Sequence, residues 1–277
     1  MPADPRLPLA RPDLAAAALQ GVVRAGRFAA ARAMRVIVPC TALRAAGAAG
    51  AEQVDQLLFG ESFDVLDQAD GFAWGQARRD GYVGFVDAAA LSGQALAPTH
   101  HVSALAAFAF ATPSIKSAPF GPLSLNALAT VETEDGPFAN IAGAGWVHRG
   151  HLAPIGRFQS DPAAVANSHL GAPYLWGGRS SHGLDCSGLI QQALYACGLA
   201  CPRDTDMQSA LGSAAPPDAL RRGDLVFWRG HVGMMLDPEM LIHANAHHMA
   251  VAAEPLAQAV ARIDAGGAGQ PSAYRRL

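Results

Sequence analysis

The chain has 277 residues, of which 51% are hydrophobic and 16% charged, and its formal net charge is −3. This balance is typical of a folded globular protein of two or three domains and excludes a disordered chain. The slight acidity gives no basic surface for nucleic acid or anionic lipid, and no apolar run reaches the roughly 18 residues that a membrane-spanning helix needs.

Residues 1–35 are predicted to be an N-terminal extension. The opening sequence MPADPRLP carries an acid and several prolines where a secretory signal has basic residues followed by an apolar block. We therefore expect a cytoplasmic protein, unless a leader precedes Met1. Asp13, followed by the apolar run Leu14–Leu19, predicts a short helix with an N-cap.

Short β-strands separated by turn residues are predicted over residues 36–96. The alternation of apolar and polar residues in Ser62–Leu66 is typical of a strand. Asp70-Gly71 and Asp80-Gly81 predict turns before two further apolar segments. This pattern predicts a small β-barrel.

A similar order of segments recurs over residues 97–157, with PLSLN, ALATV, an Asp135-Gly136 turn, FANI and GWV. A period of about 60 residues indicates a duplicated module. The LLFGE, GYVGFV and GWV segments of the two copies resemble bacterial SH3 domains. The resemblance implies two small all-β SH3-like barrels, at residues 36–96 and 97–157.

The segment Gly171–Gly198, GAPYLWGGRSSHGLDCSGLIQQALYACG, carries the most specific pattern in the chain. A loop rich in glycine and serine leads to Asp185, and apolar residues then recur with helical spacing up to Gly198. Asp185 is a suitable N-cap, so we predict a helix over about 186–197 with Cys186 in its first turn. The unpaired N–H groups and the positive end of the helix dipole at that turn favour a thiolate and an oxyanion.

Three short strands, joined by tight turns, are predicted downstream. They are Asp224–Trp228, His231–Leu236 and Met240–Ala244. Folding the last two about Asp237-Pro238 brings His231 and His243 within side-chain reach. His231 is then the candidate base for Cys186, and His243 is the candidate for orienting His231.

The four cysteines are compatible with a reducing compartment. They are Cys40, Cys186, Cys197 and Cys201. Cys197 and Cys201 have CxxxC spacing, but no second cysteine pair accompanies them. We therefore expect neither a metal site nor a cofactor.

The motifs GAPYLWGG, LDCSG, PRD, GDLVFW, HVGM and LIHA follow one another between residues 160 and 277. Their residues and their order resemble the NlpC-type family of papain-like bacterial cell-wall peptidases. The resemblance implies an α+β papain-like peptidase domain over residues 158–277. It implies Cys186 as the nucleophile, His231 as the base, His243 as the third polar residue and Tyr174 beside the oxyanion site.

Enzymes of this family cut the γ-D-glutamyl bond to a diamino acid in murein stem peptides. Paired SH3 domains without an export signal resemble the branch that recycles released peptides with a free N-terminal L-Ala. The resemblance then implies that Asp185, together with Tyr82 and Glu52 of the first SH3-like module, holds the substrate amine, with Glu61 as the alternative to Glu52.

Further residues near the helix are candidates for substrate binding. Arg203 is suited to the D-Glu carboxylate, or else forms an ion pair with Asp204 or Asp206 that shapes its loop. Asp204 and Thr205 follow Arg203 in the same segment. Ser187, at the helix start, is a further candidate contact with the murein peptide.

Other functions remain open from the sequence. An exported peptidase would use its SH3 modules to hold intact cell wall, and a non-catalytic protein would use the SH3 pair alone. An acyltransferase would use the same three catalytic residues. We expect fast alkylation of Cys186 by iodoacetamide near neutral pH in an enzyme, and slow alkylation in a binding protein.

Overall fold

The computed structural model of the protein describes residues 4–93 and 96–277. The chain divides into two units, Met1–Ile155 and Gly156–Leu277. The first unit is built from β-strands and short 3-10 helices, and the second combines helices with one main sheet. Among the described residues, no helix is long and apolar enough to cross a membrane.

The start of the chain forms two strands and a 3-10 turn in place of the predicted α-helix. β1 (Leu14–Ala16) pairs in parallel with β2 (Arg27–Ala29), and the 3-10 helix Ala17–Leu19 follows β1. Leu14 is fully buried in a hydrophobic cluster with Trp74 of the following module. Burial of this apolar segment outweighs the helix preference of its alanines.

Seven strands make up the first β-module. They are β3 (Arg32–Val36), β4 (Cys40–Arg44), β5 (Gln53–Leu58), β6 (Ser62–Ala69), β7 (Phe72–Ala77), β8 (Val83–Asp87) and β9 (Leu91–Ser92). Their spatial order is β5-β4-β8-β7-β6-β3-β9. The sheet is open and not the closed barrel predicted, because its edge strands β5 and β9 do not pair with each other. It begins at Arg32, inside the predicted extension, since Met34 and Val36 are buried in the module.

The turns predicted for this module are present. Asp70 and Gly71 have positive φ values of 50° and 82° and join β6 to β7 as a two-residue hairpin. Inward-facing side chains such as Phe63 and Val86 are fully buried. The alternation read from the sequence therefore marks the buried face of the sheet correctly.

Eight strands make up the second β-module. They are β10 (His100–Val102), β11 (Ala106–Phe110), β12 (Pro119–Ser124), β13 (Leu128–Ala129), β14 (Val131–Asp135), β15 (Phe138–Ile141), β16 (Gly145–His148) and β17 (Leu152–Pro154). They form two open sheets, β13-β10-β17 and β12-β11-β16-β15-β14.

The same order of elements ends both modules. In the first, β6, β7 and β8 are followed by the 3-10 helix Ala88–Ala90 and β9, and in the second, β14, β15 and β16 are followed by the 3-10 helix Arg149–His151 and β17. Each 3-10 helix is capped by the side chain before it, Asp87 in one case and His148 in the other. This repetition agrees with a duplicated module.

The two modules share a hydrophobic core, and for that reason they form one unit. Phe59 of the first module packs with Leu123 and Ile141 of the second. Gly60 allows the two backbones to approach, because its φ is +80° and a Cβ there would lie 2.0 Å from the Leu128 carbonyl oxygen.

The second unit contains four described α-helices and a six-stranded sheet. The helices are α1 (Pro162–Ser168), α2 (Cys186–Ala196), α3 (Thr205–Gln208) and α4 (Leu256–Ala265). The strands are β18 (Arg179–Ser180) and β19 (Gly183–Leu184), which form a hairpin, and β20 (Ser213–Ala214), β21 (Leu225–Trp228), β22 (His231–Met235), β23 (Met240–Asn245), β24 (Ala250–Pro255) and β25 (Ala273–Arg276). The sheet order is β20-β25-β21-β22-β23-β24.

The limits of the elements around the candidate site agree closely with those predicted from the sequence. The nucleophile helix and the three central strands begin and end within about two residues of their predicted limits. The last strand, β25, lies inside the sheet between β20 and β21. Its Tyr274 packs with Val226 and Trp228 in the core of the sheet.

Candidate active site

Asp185 caps the first turn of α2 and ties it to the glycine-rich loop. Its Oδ1 accepts from the Gly188 N–H at 2.7 Å, and its Oδ2 accepts from the Gly177 N–H at 2.9 Å. Gly188 permits this close packing, because a Cβ there would lie 2.1 Å from the Gly178 carbonyl oxygen. The loop and the helix start are thereby held together, with Cys186 as the first helical residue.

A buried ion pair reinforces the same turn. Arg203 donates to both Asp185 oxygens, Nη1 to Oδ1 at 3.0 Å and Nη2 to Oδ2 at 2.5 Å, and its side chain is only 1% exposed. The Arg203 Nη1 also donates to Ser187 Oγ at 2.7 Å. The carboxylate bound by Arg203 therefore belongs to Asp185, and neither the substrate nor Asp204 is needed to account for its position.

The Asp185 N-cap was predicted from the sequence, whereas the binding of Arg203 to Asp185 and Ser187 was not. Ser187 Oγ also donates to Asp185 Oδ1, at 3.2 Å. The carboxylate accepts from five donors, so it is already well satisfied before any substrate amine approaches. Direct contacts of these three residues with substrate stay predictions.

The Cys186 thiol is nearly buried beside the turn that leads into β22. Its hydrogen bond runs to the Gly230 carbonyl oxygen at 3.9 Å, and the residue is 7% exposed. Burial, together with the nearby Asp185, raises the pKa of the thiol to about 12, although the Val232 and Ser187 N–H groups act in the opposite direction. Position at a helix start predicted a thiolate, but desolvation outweighs the dipole and leaves a neutral thiol at rest.

The two histidines of the predicted hairpin lie in contact. His231 is the first residue of β22, and its Nε2 is 2.8 Å from the Nδ1 of His243 on β23. Their ring centroids are 5.0 Å apart, and the His231 ring also lies against Trp228. The strand pairing therefore brings His231 and His243 into contact, as the hairpin prediction required, and their roles as base and orienting residue stay predictions.

Both imidazoles are neutral at pH 7. Burial lowers the pKa of His231 to about 3, with further contributions from His243 and Arg262. Burial also lowers the pKa of His243 to about 4, although the hydrogen bond that His243 donates to Glu254 acts to raise it. Each neutral ring carries one N–H and one bare nitrogen, so the direction of the hydrogen bonds decides which nitrogen of His231 is basic.

Glu254 is a residue of this site that sequence reasoning missed. It lies on β24 next to β23, and its Oε1 is 2.8 Å from the Nε2 of the fully buried His243. Arg262 of α4 donates to the same Glu254 oxygen. The position of Glu254 in its strand could have revealed it. A hairpin between residues 240–245 and 250–255 places the side chains of Glu254 and His243 on the same face of the sheet.

Tyr174 lies close enough to the thiol for the two groups to influence each other. Burial, with smaller contributions from Cys186 and Asp185, raises the pKa of Tyr174 to about 12. The phenol therefore keeps its proton and can donate a hydrogen bond to an oxyanion. Its backbone is fixed by the Tyr174 N–H, which donates to the Met249 carbonyl oxygen at 3.0 Å.

A cavity of about 310 Å³ borders the turn next to the thiol. Its lining residues come from α3 and from the turn between β21 and β22, with one residue ahead of β25: Thr205, Asp206, Ser209, Phe227, Trp228, Arg229, Gly230 and Ser272. Thr205 is therefore in a position to contact a ligand in this cavity. Asp204 occupies the N-cap position of α3.

The other two predicted substrate contacts, Tyr82 and Glu52, belong to the first unit. Tyr82 is buried, and its N–H donates to Asp80 Oδ1 at 3.0 Å, whereas Glu52 is exposed. The alternative Glu61 is a buried carboxylate that accepts from the Leu58 N–H and from Arg79. Tyr82 and Glu52 therefore stay the predictions for this module, and Glu61 has a structural role.

One group of side chains has the dimensions of a metal site. His243, His248 and Glu254 place possible ligand atoms within 4.8 Å of one another. The Glu254 Oε1 already accepts from His243 and Arg262, and the guanidinium charge opposes a cation at that point. The expected lack of a metal stays a prediction.

Known protein families match residues in both units. Residues 171–262 match the NlpC/P60 family, and residues 43–91 match the bacterial dipeptidyl-peptidase SH3 domain. The chain contains an NlpC/P60 domain. Because this family consists of cysteine peptidases, the thiol and histidines described above belong to a cysteine peptidase. The match to the SH3 family covers the first β-module, and the second as an SH3 domain stays a prediction.

Individual relatives agree with this assignment. The chain is 29% identical over 214 residues to a γ-D-glutamyl-L-lysine dipeptidyl-peptidase of Bacillus subtilis. This alignment covers 68% of this chain and 71% of the relative. It is 32% identical over 104 residues to dipeptidyl-peptidase 6 of Lysinibacillus sphaericus, covering 36% of this chain and 38% of that relative.

A solved structure supports the fold described above. The crystal structure of an NlpC/P60 family protein from Bacillus cereus superimposes with a TM-score of 0.73 at 20% identity, and covers 88% of this chain and 99% of that one. The predicted fold, a papain-like α+β domain after all-β modules, is therefore confirmed, with open sheets in place of closed barrels.

Proposed function

We propose that this cysteine peptidase hydrolyses the γ-D-glutamyl-L-diamino acid bond of murein stem peptides. The observation that carries the proposal is the buried thiol at the start of α2 beside the linked histidines, in a chain whose Bacillus subtilis relative is named for γ-D-glutamyl-L-lysine dipeptidyl-peptidase activity. A thiol with a base and an orienting residue performs acyl transfer through a thioester.

The geometry supports a general-base mechanism for the first half of the reaction. The Cys186 proton passes to the bare nitrogen of His231 while the sulfur attacks the γ-carbonyl carbon of D-Glu, because neither group is charged at rest. The oxyanion formed is stabilised by N–H groups at the start of α2 and by the Tyr174 hydroxyl. The C–N bond then breaks, the departing amine takes the proton from His231, and the thioester remains.

Hydrolysis of the thioester completes the cycle. His231 takes a proton from water, the hydroxide attacks the thioester carbonyl, and Cys186 leaves as a thiolate that recovers its proton from His231. Water is consumed, and the products are the L-Ala-D-Glu acid and the free diamino acid end. The resting neutral pair is thereby restored.

The proposal includes a requirement for a free N-terminal L-Ala and a role in cell-wall peptide recycling in the cytoplasm. A reducing compartment is compatible with the four cysteines, all of which are free thiols in the structure. Tyr82 and Glu52 are the predicted partners of the substrate amine. Cell fractionation with an antibody against the protein tests the compartment.

Mass spectrometry of three substrates tests the activity. They are L-Ala-γ-D-Glu-diaminopimelate with a free amine, the same peptide N-acetylated, and intact cell wall. We expect L-Ala-D-Glu from the free-amine peptide alone, with no product from Cys186→Ala and normal product from the matched control Cys197→Ala. Cleavage of all three substrates identifies an exported type of wall hydrolase instead, and cleavage of none overturns the substrate assignment.

A further inference from the structure

A continuous line of hydrogen-bonded side chains leads away from His231 into the sheet. His231 Nε2 and His243 Nδ1 are 2.8 Å apart, and His243 Nε2 and Glu254 Oε1 are also 2.8 Å apart. His243 is fully buried, and the Glu254 side chain is 12% exposed. We call this line the relay. It runs from the ring of His231 through the buried ring of His243 to the carboxylate of Glu254.

Glu254 is held as an anion by its surroundings. Burial by itself raises the pKa of Glu254, but hydrogen bonds from Arg262 and His243 outweigh burial and lower it overall. Arg262 is supplied by α4, whose first residue directly follows β24. The turn from strand to helix therefore brings the carboxylate and its cation to the same point.

An ionised carboxylate only accepts hydrogen bonds, and this fact sets the direction of the whole line. His243 must donate to Glu254 from Nε2, so its Nδ1 is the bare nitrogen. That bare nitrogen must accept from His231, so His231 carries its proton on Nε2. The lone pair of His231 is then on Nδ1, the ring nitrogen that does not face His243.

We propose that Glu254, held by Arg262, is a positioning residue that fixes the tautomers of both histidines and keeps His231 ready to accept the proton of Cys186. A carboxylate that acts through one imidazole is the arrangement of the serine protease triad. Here the carboxylate acts through two imidazoles in series. The rings transmit its orientation, and no proton needs to reach Glu254.

The same geometry predicts how the pH dependence responds to Glu254. The charged groups that influence the pKa values of the two histidines, apart from the rings themselves, are Glu254, Arg262 and His248. The Glu254 anion favours a positive charge on the histidine pair, so its neutralisation lowers the pKa of that pair. The acidic limb of the pH profile of kcat/KM, which reports protonation of the histidine pair, then moves to lower pH.

The test compares Glu254→Gln with Glu239→Gln, which removes a charge from an exposed glutamate on the turn between β22 and β23. With wild-type protein near neutral pH, nitrogen-15 NMR of the imidazoles reports the tautomers directly. We expect a proton on Nε2 of both His231 and His243. A proton on Nδ1 of His243 overturns the proposal without the need for any variant.

For Glu254→Gln we expect kcat/KM to fall by a factor on the order of 10² to 10⁴, mainly through kcat, with a shift of the acidic limb and altered imidazole nitrogen signals. Arg262→Gln should produce a smaller fall in the same direction. If Glu254→Gln matches Glu239→Gln in kcat, pH profile and nitrogen signals, Glu254 only joins α4 to the sheet and the proposal is wrong.

The rate of Cys186 alkylation by iodoacetamide separates this inference from the proposed substrate. The inference rests on the peptidase chemistry of the site, and the alkylation rate reports deprotonation of the thiol without any murein peptide. Slower alkylation in Glu254→Gln than in Glu239→Gln supports the relay even if no murein peptide is cut. Equal alkylation rates and equal tautomers contradict it even if the peptide is cut.

Discussion

Neutralising Asp185 is expected to remove the charge of the carboxylate that Arg203 binds inside the peptidase unit. Five donors converge on the Asp185 carboxylate, three of them on Oδ1 and two on Oδ2. Asp185→Asn replaces one of these oxygens by an NH₂ group, so at least two donors then face another donor. The Arg203 guanidinium is 1% exposed, so solvent replaces little of the lost charge interaction.

The expected loss is large for one substitution. Breaking a buried pair by removing one partner costs about 3–5 kcal/mol, against a total stability of roughly 5–15 kcal/mol for a typical domain. We expect a loss of that size for Asp185→Asn. Hydrogen exchange of the α2 amides, followed by mass spectrometry in increasing urea, measures the opening free energy of this helix separately from the rest of the chain.

A double substitution provides the control. Asp185→Asn combined with Arg203→Met removes both charges, so it should cost clearly less than the sum of the two single substitutions. A loss of unfolding free energy below about 1 kcal/mol for Asp185→Asn, or strict additivity in the double variant, would refute the reasoning. The pair would then contribute no more to stability than an exposed salt bridge does.

Four further predictions follow from the site and its sheet. His243→Ala should reduce kcat less than His231→Ala, since His243 only orients the base; steady-state kinetics decide this, and the reverse order would exchange their roles. Gly188→Ala should lower both the rate of Cys186 alkylation and the Tm, because its Cβ would lie 2.1 Å from the Gly178 carbonyl oxygen. Burial alone raises the pKa of Asp224, but hydrogen bonds from Arg276 and Arg221 outweigh it and lower the pKa. This contribution to stability is present above about pH 4, the unfolded value, and is lost as the pH falls through the lower folded value; urea titrations between pH 5 and 2 should therefore show a shallower decline for Asp224→Asn than for wild type. Finally, incubation with EDTA should leave kcat unchanged, and restoration of a lost activity by zinc would contradict the expected absence of a metal site.

Local patterns made the nucleophile helix predictable. Asp185, the apolar spacing and Gly198 are all contained in one short stretch, and the helix that they predicted, 186–197, was found at Cys186–Ala196. The hairpin that joins His231 to His243 was predictable for the same reason, because one turn fixes the register of the two strands.

Features that depend on distant parts of the chain were not predictable. Arg203 pairs with Asp185 across 18 residues of sequence, through a loop whose path no local pattern reveals. The role of Glu254 needed the pairing of β23 with β24 and the position of α4. The neutral thiol needed the burial of Cys186, which depends on how α2 and the sheet pack together and not on the helix start alone.

The place of β25 in the sheet has a consequence for the order in which the protein is completed during synthesis. Residues 273–275 pair with residues 225–227, whose strand lies next to the strand that begins with His231. The helix that carries Cys186 leaves the ribosome well before β25 does. A nascent chain therefore displays the helix of Cys186 before the sheet that carries His231 has all of its strands.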